Sequence, residues 1–284
     1  LCQESKMITQ VSMERISTEL EKMLTNGQSA QALELLRKSS LLKIILPDVD
    51  ALQGIQQPAQ FHPEGDVWQH THLAMEILDK NFRRNEMLAT KERFFEGKLA
   101  NIDRDEKRIL AWAVLLHDVG KKFTFTETDR IRFHNHDCVG AEMAERILRK
   151  LKLPNKIINS VSKLVRQHMS LISFREMREA KKINRLREND FPLLLELNRI
   201  DTMASHEIID LHEEILAAWE IEQKRELPVK AILNGKDLLK LGLKAGPQFK
   251  QILQEAQDKF LEKKLNSKEE AINWVRKKYL QKNN

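Results

Sequence analysis

Imidazole and carboxylate side chains recur along this sequence at positions that predicted helices could bring together. Two are adjacent, His117 and Asp118, and they follow the apolar run Ile109 to Leu116. The other candidates lie on or beside different predicted helices: His70, His136, His168 and Asp201. In a helix bundle such side chains can converge on one inward-facing point, where four imidazoles and two carboxylates suit one transition-metal ion or a pair. All-oxygen calcium sites and tetrathiolate zinc sites are excluded by the ligand types.

Apolar periodicity predicts that helices position these residues. The strongest helices are predicted at Val67–Phe82, Glu106–Val119, Val139–Leu151, Asn155–His168, Phe191–Ser205 and Glu207–Arg225. Upstream, Ser12–Leu42 predicts two helices, with Ser12 capping the first and Asn26-Gly27 breaking the chain between them. Shorter amphipathic helices are predicted near the C-terminus, at Gly235–Leu241, Phe249–Phe260 and Lys268–Leu280.

Two segments depart from the helical pattern. Thr124–Phe133 alternates apolar and polar residues, which predicts a short β-hairpin with Asp129 in its turn. Pro47–Gly65 contains three prolines and two glycines and is predicted to be a loop. The fold class predicted is therefore all-α: a helical bundle with a short β-hairpin, N-terminal neck helices and a small C-terminal helical tail.

Composition supports this fold class and argues against membrane-spanning and disulfide-rich proteins. Nine glycines and seven prolines among 284 residues supply too few turns for a β-sandwich or barrel. No apolar run approaches the ~20 residues that cross a bilayer, so we expect no membrane partner. Cys2 and Cys138 are far apart and no signal peptide precedes them, so neither a disulfide framework nor a cysteine metal site is expected. A cytoplasmic location is the expectation.

The net charge of +6 lies entirely in the last 49 residues, which contain 12 basic and 6 acidic residues. A segregated basic segment indicates contact with a polyanion such as RNA, although a solvated helical face is an equally ordinary interpretation. The candidate RNA-contacting residues in this segment are Lys244, Lys250, Lys277 and Lys278.

The surroundings of the candidate ligands carry a family resemblance. Leu115–Lys121 reads LLHDVGK, Phe133–His136 is followed by Gly140-Ala141-Glu142, and Asp201 is followed by Ala204-Ser205-His206. The chain in these segments resembles the HD superfamily of metal-dependent phosphohydrolases. The resemblance implies that His70, His117, Asp118 and Asp201 hold a first divalent ion, and that His136 and His168 complete a second site with Asp118 bridging. It implies one or two ions of Mn, Ni, Co, Fe or Mg.

The flanking segments narrow the resemblance further. Ser12–Ile16, Phe61–Trp68, Leu233–Leu238 and Gly246–Phe249 resemble the C-terminal portion of bacterial CCA-adding tRNA nucleotidyltransferases of the poly(A) polymerase family. That family carries its nucleotidyl-transfer carboxylates in an N-terminal head, whose Gly-Gly-x-x-Arg-Asp element is not found in this sequence. The start at Leu1 is what we expect of a chain cut, or naturally divided, just after such a head. We therefore divide the chain into a neck (1–55), an HD domain (56–225) and a basic tail (226–284).

Roles follow for individual residues. Asp118 and Lys121 are assigned as catalytic, Lys121 to neutralise phosphate charge, although a surface lysine is the alternative. Lys122 and His134 are assigned as substrate-binding; the simpler interpretations are a surface lysine for Lys122 and a hydrogen-bonded loop histidine for His134. The remaining histidines are interpreted as structural: His62, His72, His206 and His212.

Two functions of different classes remain after these assignments. The first is a metal-dependent phosphohydrolase acting on phosphomonoesters or 2′,3′-cyclic phosphodiesters of nucleotides or RNA 3′ ends. The second is the tRNA-binding body of a CCA-adding enzyme, in which the HD site is structural or vestigial. A regulatory nucleotide hydrolase without a tRNA partner is a third, weaker interpretation.

Overall fold

Helices form nearly all of the regular structure. The computed structural model describes residues 5–87, 102–205, 210–225 and 231–280. Cys2 and His206, and the first residues of the helix predicted from Glu207, lie outside this described part. The described residues divide into two units, one within Leu1–Ile172 and Pro192–Glu213, the other within Ser173–Phe191 and Glu214–Asn284.

The first unit contains most of the long helices. In chain order they are α1 (Met13–Thr25), α2 (Ser29–Lys38), α3 (Leu41–Ile45), α4 (Pro47–Asp50), α5 (Val67–Met87), α6 (Arg104–Leu116), α7 (Lys121–Thr124), α8 (His136–Lys150), α9 (Asn155–Gln167) and most of α11 (Phe191–Ser205). Two strands, β1 (Phe125–Glu127) and β2 (Ile131–Phe133), lie between α7 and α8. A 3-10 segment, His168–Leu171, follows α9 directly.

The second unit contains shorter helices. They are α10 (Glu179–Leu186), α13 (Gly235–Lys240), α14 (Gln248–Leu261) and α15 (Lys268–Val275), together with most of α12 (Asp210–Gln223). The helix predicted over Lys268–Leu280 is α-helical only to Val275, because Arg276–Leu280 continues as a π-helical turn. Helix α10 was not predicted, since its buried face is carried by Ala180, Ile183 and Leu186 alone.

The N-terminal helices confirm the predicted cap at Ser12, but a helix begins inside the segment predicted to be a loop. Ser12 accepts a hydrogen bond from the amide of Arg15 at the start of α1, and Gly27 adopts a φ of +72° where α1 ends. The loop predicted over Pro47–Gly65 is wrong at its start, because Pro47–Asp50 forms α4. Proline stands at the first helical position there, where its missing N–H costs no hydrogen bond.

Helix α6 is the central element of the first unit. It begins at a capping box made by Asp103 and Glu106, and every residue from Ile109 to Leu116 is buried. It packs against α1, α5 and α9, and α8 packs against α9. Because all sides of its C-terminal half are covered, the residues that follow Leu116 are delivered into the interior of the unit.

The predicted hairpin is confirmed. Strands β1 and β2 pair antiparallel, with Phe125 opposite Phe133 and Thr126 opposite Arg132. Asp129 lies in the turn and pairs with Arg132. With these two strands as the only sheet of the described residues, the all-α class predicted from the sequence is also confirmed.

Gly120 allows the chain segments on either side of the hairpin to approach closely. A Cβ built on Gly120 would lie 2.2 Å from the carbonyl oxygen of His136 and 2.6 Å from the amide nitrogen of Gly140. Only glycine fits at this crossing of α7 and α8. The crossing sets the distance between the chain after α6 and the first residue of α8.

The second unit has its own apolar core. Its fully buried members are Leu238, Ala256, Ala271 and Val275, with Ile252 nearly so. In the described part of the chain, no helix is long and apolar enough to cross a membrane.

Candidate metal centre

Six side chains predicted from the sequence form two groups in the first unit. His70, His117 and Asp201 form one, which we call the first ligand group; Asp118, His136 and His168 form the other, the second ligand group. Within each group one ligand atom from every residue lies within 4.8 Å of the others. All six predicted ligands are therefore brought to one place; their role as metal ligands stays a prediction.

Helix ends position most of these residues. His117 is the C-cap of α6 and Asp118 follows it, and His168 is the C-cap of α9. His136 is the first residue of α8, preceded by Asn135 at a φ of +58°. Three helix ends thus supply four of the six ligands. A side chain at a helix end can face the interior of the unit without replacing an apolar residue on the buried face of the helix.

The imidazole rings meet at their Nε2 atoms. The Nε2 atoms of His70 and His117 are 3.2 Å apart, and those of His136 and His168 are 3.1 Å apart. In His117, His136 and His168 the other nitrogen, Nδ1, donates to a backbone carbonyl, so the proton of a neutral ring is on Nδ1. Two bare Nε2 lone pairs at this distance repel each other unless a cation or proton lies between them. Ligands of one ion at ~2.1 Å stand about 3 Å apart, so this donor set fits a divalent metal.

Asp118 joins the two groups with one oxygen directed to each. Its Oδ2 lies 3.3 Å from His117 Nε2 and 3.8 Å from His70 Nε2. Its Oδ1 lies 3.5 Å from His136 Nε2 and 3.9 Å from His168 Nε2. This arrangement suits the bridging role that the family resemblance implies for Asp118.

Burial and charge set the pKa values in this cluster. Burial, and then the charges of His117 and His136, lower the pKa of His168 to about 4. Burial would lower the pKa of His70 too, but hydrogen bonds with Asp201 and Glu64 outweigh it and raise that pKa to about 9. Burial would raise the pKa of Asp118, yet the adjacent His117 and Lys121 hold it well below its usual range. The two ligand groups therefore differ, because hydrogen bonds favour a proton on His70 whereas burial disfavours one on His168.

Lys121 is a buried lysine that points into the cluster. Its Nζ lies 2.7 Å from Asp118 Oδ2, donates to Gln57 Oε1 at 2.7 Å, and lies over the Phe133 ring at 5.3 Å. The alternative of a surface lysine is therefore wrong. The structure places Lys122 and His134 on the surface, and His134 belongs to no metal-ligand group among the described residues.

Sequence reasoning missed Glu64, Gln57 and the position of His62. Glu64 Oε1 accepts from His70 Nδ1 at 2.6 Å and from His62 Nδ1 at 2.8 Å, so His62 lies beside the cluster. Burial would raise the pKa of Glu64, but the hydrogen bonds from the two rings lower it. The signal that could have found Glu64 is the need of a buried histidine for an acceptor nearby in the chain.

The four candidate RNA-contacting lysines all lie in the second unit. Lys244, Lys250 and Lys277 are exposed. Lys278 is also exposed, but it forms an ion pair with Glu255 and lies over the rings of Trp274 and Tyr279. Three cations are therefore presented to solvent, and the fourth belongs to an aromatic cluster.

Comparison with known proteins identifies the family of this chain. Residues 123–275 match the family described as tRNA nucleotidyltransferase domain 2, and residues 1–53 match the family described as "Probable RNA and SrmB-binding site of polymerase A". The chain is 31% identical to the CC-adding tRNA nucleotidyltransferase of Thermus thermophilus over 91% of this chain and 55% of that protein. It is 32% identical to the A-adding tRNA nucleotidyltransferase of Deinococcus radiodurans over 84% of this chain and 52% of that protein.

A third relative matches a shorter part. The "Multifunctional CCA protein" of Neisseria gonorrhoeae is 29% identical over 62% of this chain and 37% of its own length. The chain spans about half the length of the first two relatives. With more than half of its residues inside the tRNA nucleotidyltransferase domain 2 match, the chain belongs to the tRNA nucleotidyltransferase family of the CCA-adding and poly(A) polymerase type.

Proposed function

We propose that the first unit carries a divalent-metal phosphohydrolase centre of the HD type within a tRNA nucleotidyltransferase-like body. The observation that carries this proposal is the meeting of two Nε2 pairs, at 3.2 and 3.1 Å, on the two oxygens of Asp118. The substrates proposed are phosphomonoesters or 2′,3′-cyclic phosphodiesters of nucleotides or RNA 3′ ends.

The ligands would hold two divalent ions. His70, His117 and Asp201 would hold one, and His136 and His168 the other, with Asp118 shared between them. Imidazole and carboxylate donors suit Mn, Fe, Co or Ni, and Mg is favoured less because it prefers oxygen ligands. When bound, such ions supply Lewis acidity and lower the pKa of coordinated water to near neutrality.

The protein side chains supply orientation and charge around that centre. Lys121 places a positive charge beside Asp118 Oδ2, from which it could neutralise a phosphate oxygen. Asp201 is 21% exposed whereas Asp118 is 2% exposed, so a substrate would approach from the Asp201 side. We assign Lys121 to phosphate binding, and Asp201 to holding the edge of the cluster that faces solvent.

The test is hydrolysis of 2′,3′-cyclic AMP and of p-nitrophenyl phosphate by the chain with Mn²⁺, Ni²⁺, Co²⁺ or Mg²⁺. We expect Asp118→Asn to abolish metal-dependent hydrolysis, because the residue faces both ligand groups. Asp129→Asn is the matched control, since this hairpin carboxylate is 69% exposed, and its described partners, Arg132 and the Thr128 hydroxyl, both lie within the hairpin. Undiminished activity in Asp118→Asn, or no activity of the unaltered chain with any of the four ions, would contradict the proposal.

A second function, tRNA binding by this body, is favoured by an independent observation. The match of residues 1–53 to an RNA-binding family and the printed names of the relatives both indicate RNA. The second unit presents Lys244, Lys250 and Lys277 to solvent. Lysine contacts with phosphates give affinity that falls with salt and does not depend on sequence. The two functions are compatible in one polypeptide.

The tRNA proposal is tested by measuring affinity against salt concentration. A triple replacement of Lys244, Lys250 and Lys277 by alanine should weaken tRNA binding and flatten the slope of log affinity against log salt. The matched control replaces Lys80, Lys150 and Lys156, which are exposed lysines of the first unit. Equal effects of both triple variants would contradict a contact made by the tail.

A further inference from the structure

Three of the four clustered histidines satisfy their second ring nitrogen in the same way. Nδ1 of His117 donates to the carbonyl of Val114 at 2.8 Å. Nδ1 of His136 donates to Phe133 at 2.9 Å, and Nδ1 of His168 donates to Val165 at 2.6 Å. In each case the acceptor is the backbone carbonyl three residues earlier. A neutral carbonyl fixes the tautomer and leaves Nε2 facing the cluster.

His70 is the exception, because it lies in the first turn of α5. The carbonyl three residues earlier belongs to Val67, and it already accepts from the Thr71 hydroxyl at 2.8 Å. The partner of His70 Nδ1 is instead Glu64 Oε1, at 2.6 Å, from the loop before α5. His70 thus has a carboxylate where each of the other three rings has a peptide group.

We propose that Glu64 is the positioning residue of the first ligand group and makes the two metal sites unequal. Its carboxylate holds the Nδ1 proton of His70 and aims Nε2 at His117 and at Asp201, which lie 3.2 and 3.0 Å away. It also adds a negative charge next to the first ligand group, and the second group has no such partner among its described contacts. This inference rests on the metal centre proposed above.

The surroundings of Glu64 suit this role. Its side chain is 9% exposed, and Oε2 is buried with no hydrogen-bond partner among the described residues. Oε1 alone accepts from both His62 and His70, so the carboxylate is held between two rings. A carboxylate in contact with a ligating imidazole raises the basicity of that ligand, and loss of such a partner typically weakens metal binding 10- to 100-fold.

The experiment is a titration of the metal-free full chain with Mn²⁺, followed by electron paramagnetic resonance and calorimetry. We expect two bound ions in the unaltered chain. Glu64→Ala should weaken one of them about 10- to 100-fold and change the other less than about threefold. Glu64→Gln should restore part of the loss, because its amide oxygen can still accept from His70 Nδ1 but carries no charge.

A matched control separates positioning from a general effect on the helix. Glu76 lies on α5, the helix that carries His70; its Oε1 is 3.5 Å from His72 Nδ1, and its side chain is 46% exposed. Glu76→Ala should leave both Mn²⁺ affinities within about twofold. Thermal unfolding of each variant, measured without metal, shows whether the fold is retained.

The outcomes distinguish this inference from the function on which it rests. Selective weakening of one ion by Glu64→Ala, with partial rescue by Glu64→Gln, supports the positioning role. Two ions weakened equally, or neither weakened, would overturn it and leave the metal centre standing. No Mn²⁺ binding by the unaltered chain would overturn the metal centre and this inference together.

Discussion

Lys121 and Asp118 form a buried ion pair in which Nζ lies 2.7 Å from Oδ2. The same Oδ2 faces His117 Nε2 at 3.3 Å, so the ammonium stands beside the carboxylate oxygen that the first ligand group would share. The Lys121 ammonium thus has two potential roles. Under the proposed function, the Lys121 ammonium would repel an incoming metal ion and would bind a phosphate of the substrate.

Replacing Lys121 should therefore separate metal binding from turnover. We expect Lys121→Gln to tighten Mn²⁺ binding by roughly 10-fold, because one nearby positive charge is removed at low effective dielectric. Hydrolysis should fall at the same time, mainly through a higher KM for the phosphate ester. Lys122→Gln is the control for the affinity measurement, since Lys122 is exposed and its Nζ lies over the Phe123 ring. Unchanged Mn²⁺ affinity in Lys121→Gln would show that its charge does not act on the metal.

Metal binding should also stabilise the chain against unfolding. An ion that binds only the folded state adds about 2.7 kcal/mol at a concentration 100 times its Kd. We expect Mn²⁺ to raise the melting temperature and a chelator to reverse the rise. A double variant, His117→Gln with His168→Gln, removes one ligand from each group and should show no rise. A similar rise in the double variant would place the ions elsewhere on the protein.

The sequence predicted the parts of this structure that depend on local pattern. The end of α9 was located to within one residue, because its apolar stripe stops at His168, and the hairpin was located from the alternation before Phe133. Helix α6 ends at Leu116, three residues before the predicted Val119. Glu64 could not be found from such a pattern, because it lies in a loop and contacts His70 only through the path that the loop takes before α5.

Helix α10 was missed because its segment is highly charged, and its few apolar residues, Ala180 and Ile183, are buried against Leu261. The division into neck, HD domain and tail stays a prediction.

Gly120 should be intolerant of any side chain. An alanine Cβ would lie 2.2 Å from the carbonyl oxygen of His136 and 2.6 Å from the amide nitrogen of Gly140, so backbone rather than a flexible side chain must move. We expect Gly120→Ala to cost about 2 kcal/mol, or roughly 4–8 °C in melting temperature, and to weaken Mn²⁺ binding because the two ligand groups are pushed apart. Gly246→Ala is the control, since nothing lies within 4 Å of its added Cβ. Equal melting temperatures of the two variants would contradict the close approach.

Asp79 on α5 should stabilise the fold by holding the N-terminus of α2. Its Oδ1 accepts from the amide of Ser29 at 2.9 Å and from the Ser29 hydroxyl at 2.7 Å, and its Oδ2 accepts from the amide of Ala30 at 3.0 Å. A buried carboxylate thus satisfies the first amides of α2 from another helix, where the helix dipole also favours it. Asp79→Ala should lower the free energy of unfolding by about 3 kcal/mol, because buried donors lose their acceptor. Lys80→Ala, on the exposed face of the same helix, should cost under ~0.5 kcal/mol in the same urea titration.

His212 should make the stability of the chain fall below neutral pH. The residue is 4% exposed, its Nδ1 has no hydrogen-bond partner among the described residues, and burial together with the charge of Arg199 lowers its pKa to about 4. In the unfolded chain a histidine has a pKa of about 6.5. Above that value neither state binds the proton. As the pH falls from 6.5 to 4 the unfolded state takes it up first, so the contribution of His212 to stability is lost over this window.

The size of the His212 effect can be isolated by difference. A pKa gap of about 2.5 between the two states makes the loss between pH 7 and pH 5 about 2 kcal/mol. Urea unfolding of the metal-free chain should show that His212→Leu loses about 2 kcal/mol less than the unaltered chain over this interval. His168, whose pKa is also lowered to about 4, titrates in both proteins and cancels in the comparison. The same pH dependence in His212→Leu would mean that His212 takes up its proton equally in the folded and unfolded chain.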